Sequence, residues 1–288
     1  MYSCKILKDS ESPTGIRITS FEITFPRIVL AEFNTHRVFS RNSASSRAIP
    51  VEKMLERVKT DPFIPIHWGK KQKGMQAETE LSIDEIENAK SEWLYARDSA
   101  VSHAEKLLSL GLHKQITNRI LEPWLWQTVI VTSTEWDNWR GLRCNKNAQP
   151  EIQRIATMMA EAYDASQPQK LSAEQWHLPL IFEEGAELEA LINKYGQEGL
   201  ARISVGRCCR VSYLTHDGKR DPEADINLCE DLLKNGHMSP FEHVAYPITN
   251  PKSKLVYNKQ GSLWSGNHRG WISYRSTIAG ESIWKNDL

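Results

Sequence analysis

Residues 35–47 read THRVFSRNSASSR and are the most informative stretch of the sequence. Its thirteen positions hold three arginines, one histidine and four serines, with only two large apolar residues. This composition predicts a solvated loop outside the core. Clustered guanidinium groups, hydroxyls and loop amides can also hold an anion. Composition alone leaves both interpretations open, a solvated loop or an anion site.

The flanking segments predict an α+β fold. Residues 16–25, IRITSFEITF, alternate like a strand with one buried face, and residues 126–133, WQTVIVTS, read as a buried strand. Pro26 suits the first turn of a helix through PRIVLAEFNTHR. Ser82 and Glu85 form a capping box before a long helical pattern. Long helices with few, irregularly spaced strands predict helices packed on a small, mostly antiparallel sheet.

The bulk composition excludes several classes of protein. Lys+Arg and Asp+Glu balance at 36 each over 288 residues, which gives no reason to expect a nucleic-acid or membrane-surface partner. We find no apolar run of membrane-spanning length and no signal peptide. Five cysteines, an odd number without CxxC spacing, predict neither a disulfide framework nor a zinc knuckle, and indicate a reducing, cytoplasmic setting.

Three further polar clusters stand apart from the apolar pattern. Arg119 in NRILEP lies between apolar neighbours and requires a carboxylate or phosphate partner. Asn138 and Arg143 lie in TEWDNWRGLRCNKNAQPEI, where arginines near a helix end can be dipole partners or ligand contacts. His237 and Ser239 lie in GHMSPFEH, whose spacing is not that of a metal motif, so no metal site is predicted.

Together these segments resemble the flavin-dependent thymidylate synthase family. The family signature reads approximately RHRxxSxNExSxRY, and it matches this chain at His36, Arg37, Ser40, Asn42, Ser45 and Arg47. The family's arginine before an LP step and its AQxEI helix resemble NRILEP and NAQPEI. The family's opening block, AARVSF followed by GHxxPFEH, resembles CCRVSY and GHMSPFEH.

The order of these blocks differs from the family order. In the family the RVS and PFEH block comes first, whereas here it follows at residues 200–250. The resemblance therefore implies a circularly permuted form of the family fold in a single domain, 1–288. Its parts are the signature block 16–50, the helical and AQxEI block 82–165, the permuted block 200–250 and an extra tail 251–288.

The resemblance also implies roles for individual residues. Arg143 and His237 are expected to be catalytic. The residues expected to bind substrate are Glu32, Ser45, Ser46, Arg47, Arg119 and Arg143. The residues expected to bind the flavin are His36, Arg37, Asn138, Ser212, His237 and Ser239. The family needs no cysteine nucleophile, which agrees with interpreting Cys144 as a packing residue.

Four positions depart from the family pattern. Thr35 replaces the first arginine of RHR, Ser43 replaces the glutamate of NE, and Ala48 replaces the tyrosine after the last arginine. Glu32 lies where the family has a glutamine. Two of these changes remove one positive and one negative charge near the expected substrate, and arginines of the tail, Arg269 or Arg275, could refill the site.

The activity implied is transfer of a one-carbon unit from methylenetetrahydrofolate to C5 of dUMP, with FAD as cofactor and NADPH reducing the flavin. The implied assembly is a homotetramer. The departures keep two alternatives open: a flavin- and folate-dependent hydroxymethylase of dUMP or dCMP, and a non-catalytic flavin- or nucleotide-binding protein.

Overall fold

The computed structural model describes residues 1–216, 218, 220–248, 256–257 and 263–281. Within them, the α-helices are α1 (Leu30–Asn34), α2 (Val51–Thr60), α3 (Ile83–Ser109), α4 (Lys114–Thr117), α5 (Asp137–Arg143), α6 (Pro150–Ala165), α7 (Gly185–Cys209) and α8 (Pro222–Lys234). The strands are β1 (Ser3–Glu11), β2 (Arg17–Pro26), β3 (Ser40–Ser43), β4 (Trp126–Ser133), β5 (Gln169–Lys170), β6 (Ala245–Pro247), β7 (Val256–Tyr257), β8 (Leu263–Ser265), β9 (His268–Arg269) and β10 (Trp271–Ser273).

The central sheet has five strands in the order β3-β4-β2-β1-β5. The β3–β4, β2–β4 and β1–β2 pairs are antiparallel, and only the short β1–β5 pair is parallel. Smaller sheets join β10 to β6 and β7 through β9. The predicted α+β class, with helices on a small and mostly antiparallel sheet, is confirmed.

The first core lies between this sheet and α6. The alternation in β2 directs Phe21, Ile23 and Phe25 toward one face, where they pack with Ile152 and Ile155 of α6. All five side chains are at most 1% exposed. Burying each such side chain stabilises the fold by about 1.5–3 kcal/mol, so the alternating pattern fixes which face of β2 points inward.

The opposite face of β4 is also buried. Ile130 packs with Leu7 of β1, with Cys208 near the end of α7 and with Val211 just after α7. Its neighbours Val129 and Val131 face the first core. Burial on both faces explains why the sequence reads as an unbroken apolar run here. This packing also places the end of α7 against β4, the strand that pairs with β3.

The helices α7 and α8 contact each other closely at Gly206. A Cβ atom at this position would meet the carbonyl oxygen of Asp225 at 2.3 Å, so no larger residue fits without movement. Next to it, the buried carboxylate of Asp225 accepts from Arg207 Nε (3.1 Å) and Arg210 Nε (2.7 Å). Buried charges of this kind are stable only when paired, so the end of α7 has one fixed position on α8.

The predicted helix start at Ser82 is confirmed. The Ser82 backbone N–H donates to Glu85 Oε2 (2.9 Å), and α3 then runs for 27 residues. Gly111 follows the helix with φ of +76°, a conformation that favours glycine. In the part of the chain that the structure describes, we find no helix combining the length and apolarity needed to cross a bilayer.

Two expectations from the local sequence are wrong. Ser133 and Thr134 are residue types that favour helix N-caps, so one of them is expected to cap α5. Its N-cap is instead Trp136, and Ser133 Oγ accepts from the Glu135 backbone N–H (3.0 Å). The helix after Pro26 begins as a 3-10 turn and ends at Asn34, short of the predicted Arg37. The chain therefore leaves the helix and turns toward β3, at the edge of the sheet, earlier than the helical pattern predicted.

The prediction that residues 35–47 form a solvated loop is also wrong. Ser40–Ser43 form the edge strand β3, and six residues of the segment are buried: His36, Phe39, Ser40, Asn42, Ala44 and Ser46. The polar members are buried because partners from distant segments satisfy them, as described below. Of the extra tail 251–288, residues 251–255, 258–262 and 282–288 lie outside the described residues.

Candidate active site around His36 and Arg143

The centre of the site is a contact between His36 and Arg143. His36 follows α1, stacks on Phe39 and meets Trp139 edge-on. Its Nε2 accepts a hydrogen bond from Arg143 Nε at 2.9 Å. Burial, together with the positive charges of Arg143 and Arg41, lowers the pKa of His36 to about 4. At neutral pH His36 is therefore an uncharged acceptor that holds the guanidinium group.

Arg143 lies in the last turn of α5 and is held by neutral groups. Besides His36, its Nη2 donates to the Glu32 carbonyl (3.3 Å) and to Thr35 Oγ1 (3.2 Å). Among the described residues it has no acidic side chain within ion-pair distance, and its Nη1 has no hydrogen-bond partner. An arginine that keeps its full charge and one open edge can bind and stabilise an oxygen that becomes negative.

Thr35, where the family has an arginine, is part of this arrangement. Its hydroxyl donates to the Glu32 carbonyl (2.7 Å) and accepts from Arg143. An arginine at this position would bring a second cation against Arg143. The Glu32 side chain has a buried Oε2 for which the described residues supply no partner. Thr35 thus contacts Arg143 through its side chain, whereas Glu32 contacts it through its backbone carbonyl.

The expected nucleotide loop, Ser45–Arg47, is anchored from the C-terminal part of the chain. The Ser45 backbone N–H donates to the Ser212 carbonyl at 3.0 Å, and Ser45 Oγ accepts from the Arg47 backbone N–H. The Arg47 side chain is exposed. It has no acidic partner within ion-pair distance in the ranges described. The loop therefore presents one uncompensated cation on a fixed backbone.

Arg119 and Ser46 share one partner, Glu122. The Glu122 carboxylate accepts from Arg119 Nη1 (2.7 Å), from Ser46 Oγ (3.2 Å) and from Arg27 Nη2 (2.8 Å). Burial alone would raise the pKa of Glu122, but the hydrogen bonds from Arg27 and Arg119 outweigh it and lower the pKa. The prediction that Arg119 needs an anionic partner is confirmed, and that partner is a carboxylate. A cleft of about 280 Å³ opens beside Arg27 and Ser46.

The residues expected to bind flavin are divided between two settings. Arg37, Asn138 and His237 are exposed, and no hydrogen bond of their side chains is seen within the described ranges. Ser239 and Ser212 lie against the signature segment: Ser239 Oγ donates to Asn42 Oδ1 at 3.4 Å, and Ser212 holds Ser45.

The RVSY and PFEH segments adjoin the signature strand in space. Asn42 Nδ2 donates to the Cys208 carbonyl at 2.8 Å, and the 3-10 turn Ser239–Glu242 packs on β3. Segments 166 and 197 residues apart in the chain thus meet at the signature strand. The permutation itself stays a prediction.

The tail arginines do not refill the charge lost at Thr35. Arg275 Nη1 pairs with Glu242 at 2.6 Å, and its Nε pairs with Glu281 at 2.7 Å. Arg269 pairs with Glu135. Both guanidinium groups are therefore neutralised by nearby carboxylates.

Sequence reasoning missed a buried polar chain that crosses the sheet. The ring of His177 bonds Ser10 Oγ (2.9 Å) and Ser20 Oγ (2.8 Å), Ser20 bonds Thr132, and Thr132 Oγ1 bonds His243 Nδ1 at 2.9 Å. Burial lowers the pKa of both histidines, that of His243 to about 3. His243 lies in the GHMSPFEH cluster, but no local signal indicated that it is connected to Thr132, Ser20, Ser10 and His177.

The cysteines show no sign of nucleophilic activation. Burial raises the pKa of Cys144 despite the nearby positive charge of Arg140. Cys208 and Cys229 are buried with raised pKa values as well. These thiols remain protonated at neutral pH.

Comparisons with individual proteins give only distant similarity. No protein of curated function matches the chain significantly. The UMP/dUMP methylase PolB from Streptomyces cacaoi, bound with 5-Br dUMP, matches at 14% identity and a TM-score of 0.47, over 57% of this chain and 90% of PolB. Its 5-Br UMP complex matches at 15% identity and a TM-score of 0.47, over 57% and 88%. Similarity at this level carries no argument about activity.

The family match covers residues 6–169, described as thymidylate synthase complementing protein, which is more than half of the 288 residues. This span includes the signature block and the AQxEI-like helix α6. The resemblance stated from the motifs is thereby confirmed. The chain belongs to the thymidylate synthase complementing protein family, that of the flavin-dependent thymidylate synthases.

Proposed function

We propose that this protein is a flavin-dependent thymidylate synthase acting on dUMP. One observation carries the proposal: Arg143, beside the family signature, has only neutral hydrogen-bond partners and one open guanidinium edge. Family membership supplies the reaction class. The flavin, the folate, NADPH as reductant and a homotetrameric assembly belong to this proposal.

The residues present fit a flavin. Arg37 and His237 are exposed, and the cation of Arg37 has no acidic partner within ion-pair distance in the described part of the chain. Exposed cationic and polar groups of this kind suit the phosphates and hydroxyls of a dinucleotide. Asn138, Ser212 and Ser239 would complete the binding set. When bound, reduced FAD supplies the hydride that converts the transferred carbon to a methyl group.

The overall reaction balances as dUMP, methylenetetrahydrofolate and FADH2 giving dTMP, tetrahydrofolate and FAD. C5 of the pyrimidine gains a methylene and loses its proton, and hydride addition yields the methyl group. NADPH would supply the electrons that keep a bound flavin reduced. In our proposal Arg143 stabilises negative charge on the pyrimidine oxygen as C5 becomes nucleophilic. Arg47 and the Ser45 loop hold the nucleotide.

His36 has a defined part in this mechanism. Because its pKa is low, it does not compete with Arg143 as a second cation. Its Nε2 fixes the guanidinium group while leaving the charge uncompensated. His36 thus acts on the reaction through Arg143, in addition to its expected contact with flavin.

The second candidate is a hydroxymethylase of dUMP or dCMP. Water would add to the transferred methylene in place of hydride, giving a hydroxymethyl nucleotide and tetrahydrofolate with no net oxidation or reduction. The observation that favours it is local: the side chain of Thr35, which replaces an arginine of the family, accepts a hydrogen bond from Arg143. Thr35 thus changes the surroundings of the group that we assign to the pyrimidine.

Incubation of the purified protein with methylenetetrahydrofolate, FAD, NADPH and either dUMP or dCMP tests both candidates. Mass spectrometry of the nucleotide distinguishes a methyl from a hydroxymethyl product. The Arg143→Gln protein is the control for chemistry at this site. A protein that binds FAD but neither oxidises NADPH nor alters either nucleotide would contradict both candidates and favour a non-catalytic binding protein. A protein that binds no FAD would contradict every flavin-dependent candidate.

A further inference from the structure

Glu122 receives an unusual set of hydrogen-bond donors. Arg27, Ser46 and Arg119 come from three separate segments: the 3-10 turn Arg27–Val29 that follows β2, the signature loop and the 3-10 helix Asn118–Trp124. All three bond the same carboxylate oxygen, Oε1, at 2.8, 3.2 and 2.7 Å. The three donors therefore converge on one oxygen atom.

One carboxylate oxygen is a poor match for so many donors. It offers about two lone-pair positions, whereas a phosphate group presents about three strong acceptor oxygens. Two guanidinium groups and a hydroxyl are the donors that phosphate sites use. The arrangement therefore suits a phosphate better than the single carboxylate oxygen it now holds.

The surroundings leave room for an incoming ligand. The 280 Å³ cleft is lined by Arg27 and Ser46 and by the side chains of Trp124 and Trp126. The Arg119 side chain is 47% exposed and that of Glu122 27%, so the pair is reachable from solvent. Ser46 is buried, and Arg27, with 15% of its side chain exposed, is the better buried of the two arginines; its Nη1 is fixed by Gln127.

We propose that Arg27, Ser46 and Arg119 form a phosphate receptor that Glu122 occupies until substrate arrives. The 5′-phosphate of the nucleotide displaces the Glu122 carboxylate from these donors. Glu122 thereby sets how much affinity the enzyme gains from the phosphate. The nature of the ligand rests on the proposed function, whereas the receptor itself is testable with inorganic phosphate alone.

Calorimetric titration with inorganic phosphate at constant low ionic strength tests the receptor. Glu122→Gln removes the competing charge and leaves the three donors in place. Because the competing carboxylate charge is gone, this variant should bind phosphate about tenfold more tightly than the wild type, which corresponds to about 1.4 kcal/mol. Adding Arg119→Gln to it should reverse the gain.

Asp164→Asn is the matched control. It releases Arg140 from a two-bond surface ion pair, with distances of 2.8 and 2.7 Å, but creates no converging donors. Its phosphate affinity should equal that of the wild type. Equal phosphate affinity of the wild type and Glu122→Gln, or an equal gain in Asp164→Asn, would overturn the receptor and leave a structural ion pair.

Wild-type nucleotide binding provides a second test that does not depend on the folding of Glu122→Gln. Arg119→Gln should weaken dUMP but leave deoxyuridine unchanged, and equal effects on both would contradict the receptor. If Glu122→Gln gains phosphate affinity while dUMP binds no variant, the receptor stands and the proposed function fails.

Discussion

The buried histidine His243 allows a quantitative prediction about acid stability. Its Nδ1 bonds Thr132, and its Nε2 has no partner among the described residues. Burial, reinforced by the neighbouring His268, lowers its pKa to about 3. In the unfolded chain a histidine titrates near its ordinary pKa of about 6.5. The folded protein therefore excludes a proton that the unfolded chain accepts.

The sign and size of the pH effect on stability follow from the difference between the pKa of His243 in the folded and in the unfolded chain. The contribution of His243 to stability is complete above pH 6.5 and is lost as the pH falls toward 3, because only the unfolded state gains the proton. For one such group the loss approaches about 1.4 kcal/mol per pH unit. Between pH 7 and pH 5 it amounts to about 2 kcal/mol. His177 and His268, also buried with lowered pKa values, act in the same direction.

Urea unfolding at pH 7, 6 and 5 measures this effect. His243→Asn keeps a polar atom near the position of Nδ1 but removes the titrating ring. We expect the variant to have a lower free energy of unfolding than the wild type at pH 7. Between pH 7 and pH 5, however, its free energy of unfolding should fall by about 2 kcal/mol less than that of the wild type. His103→Asn, on an exposed position of α3, should retain the wild-type pH dependence. An unchanged dependence in His243→Asn would refute the reasoning.

Three further predictions concern the proposed site and its support. Arg143→Gln should lower product formation by about a hundredfold or more and raise the pKa of His36, because one of the positive charges that lower it is gone; an NMR titration of the imidazole measures this directly. Arg47→Ala should abolish nucleotide binding in calorimetry while the visible spectrum still shows bound flavin, and unchanged nucleotide affinity would contradict the assignment. Asp225→Asn leaves two arginines without their shared buried anion and should cost about 3 kcal/mol in urea unfolding, whereas Asp164→Asn at the surface should cost less than about 1 kcal/mol.

Much of the fold could be predicted from the sequence because it depends on short repeats. The alternation of Phe21, Ile23 and Phe25 gives β2 and its buried face, and the apolar run in β4 indicates burial on both sides. The Ser82–Glu85 pair fixes the start of α3. Each signal is contained within a few residues, where the geometry of helix or strand determines which side chains share a face.

The family could also be identified from the sequence, because its motifs keep their internal spacing when whole blocks change order. Predictions about the signature loop were less successful. Its polar composition indicated exposure, but Asn42 and Ser46 are buried against Cys208 and Glu122. Whether a polar side chain is exposed or paired depends on partners that composition does not reveal.

The sequence by itself thus determined the α+β class, the main strands and helices, the family, and the set of polar residues to consider. Only the tertiary structure decided how these residues act: that neutral His36 holds Arg143, that Thr35 supports the same guanidinium group, and that Glu122 occupies the donors of Arg27, Ser46 and Arg119. The reason is physical. Charge state and hydrogen bonding depend on groups within a few ångströms, and His36 and Arg143 are 107 residues apart in the chain. Packing of the sheet and helices brings such groups together.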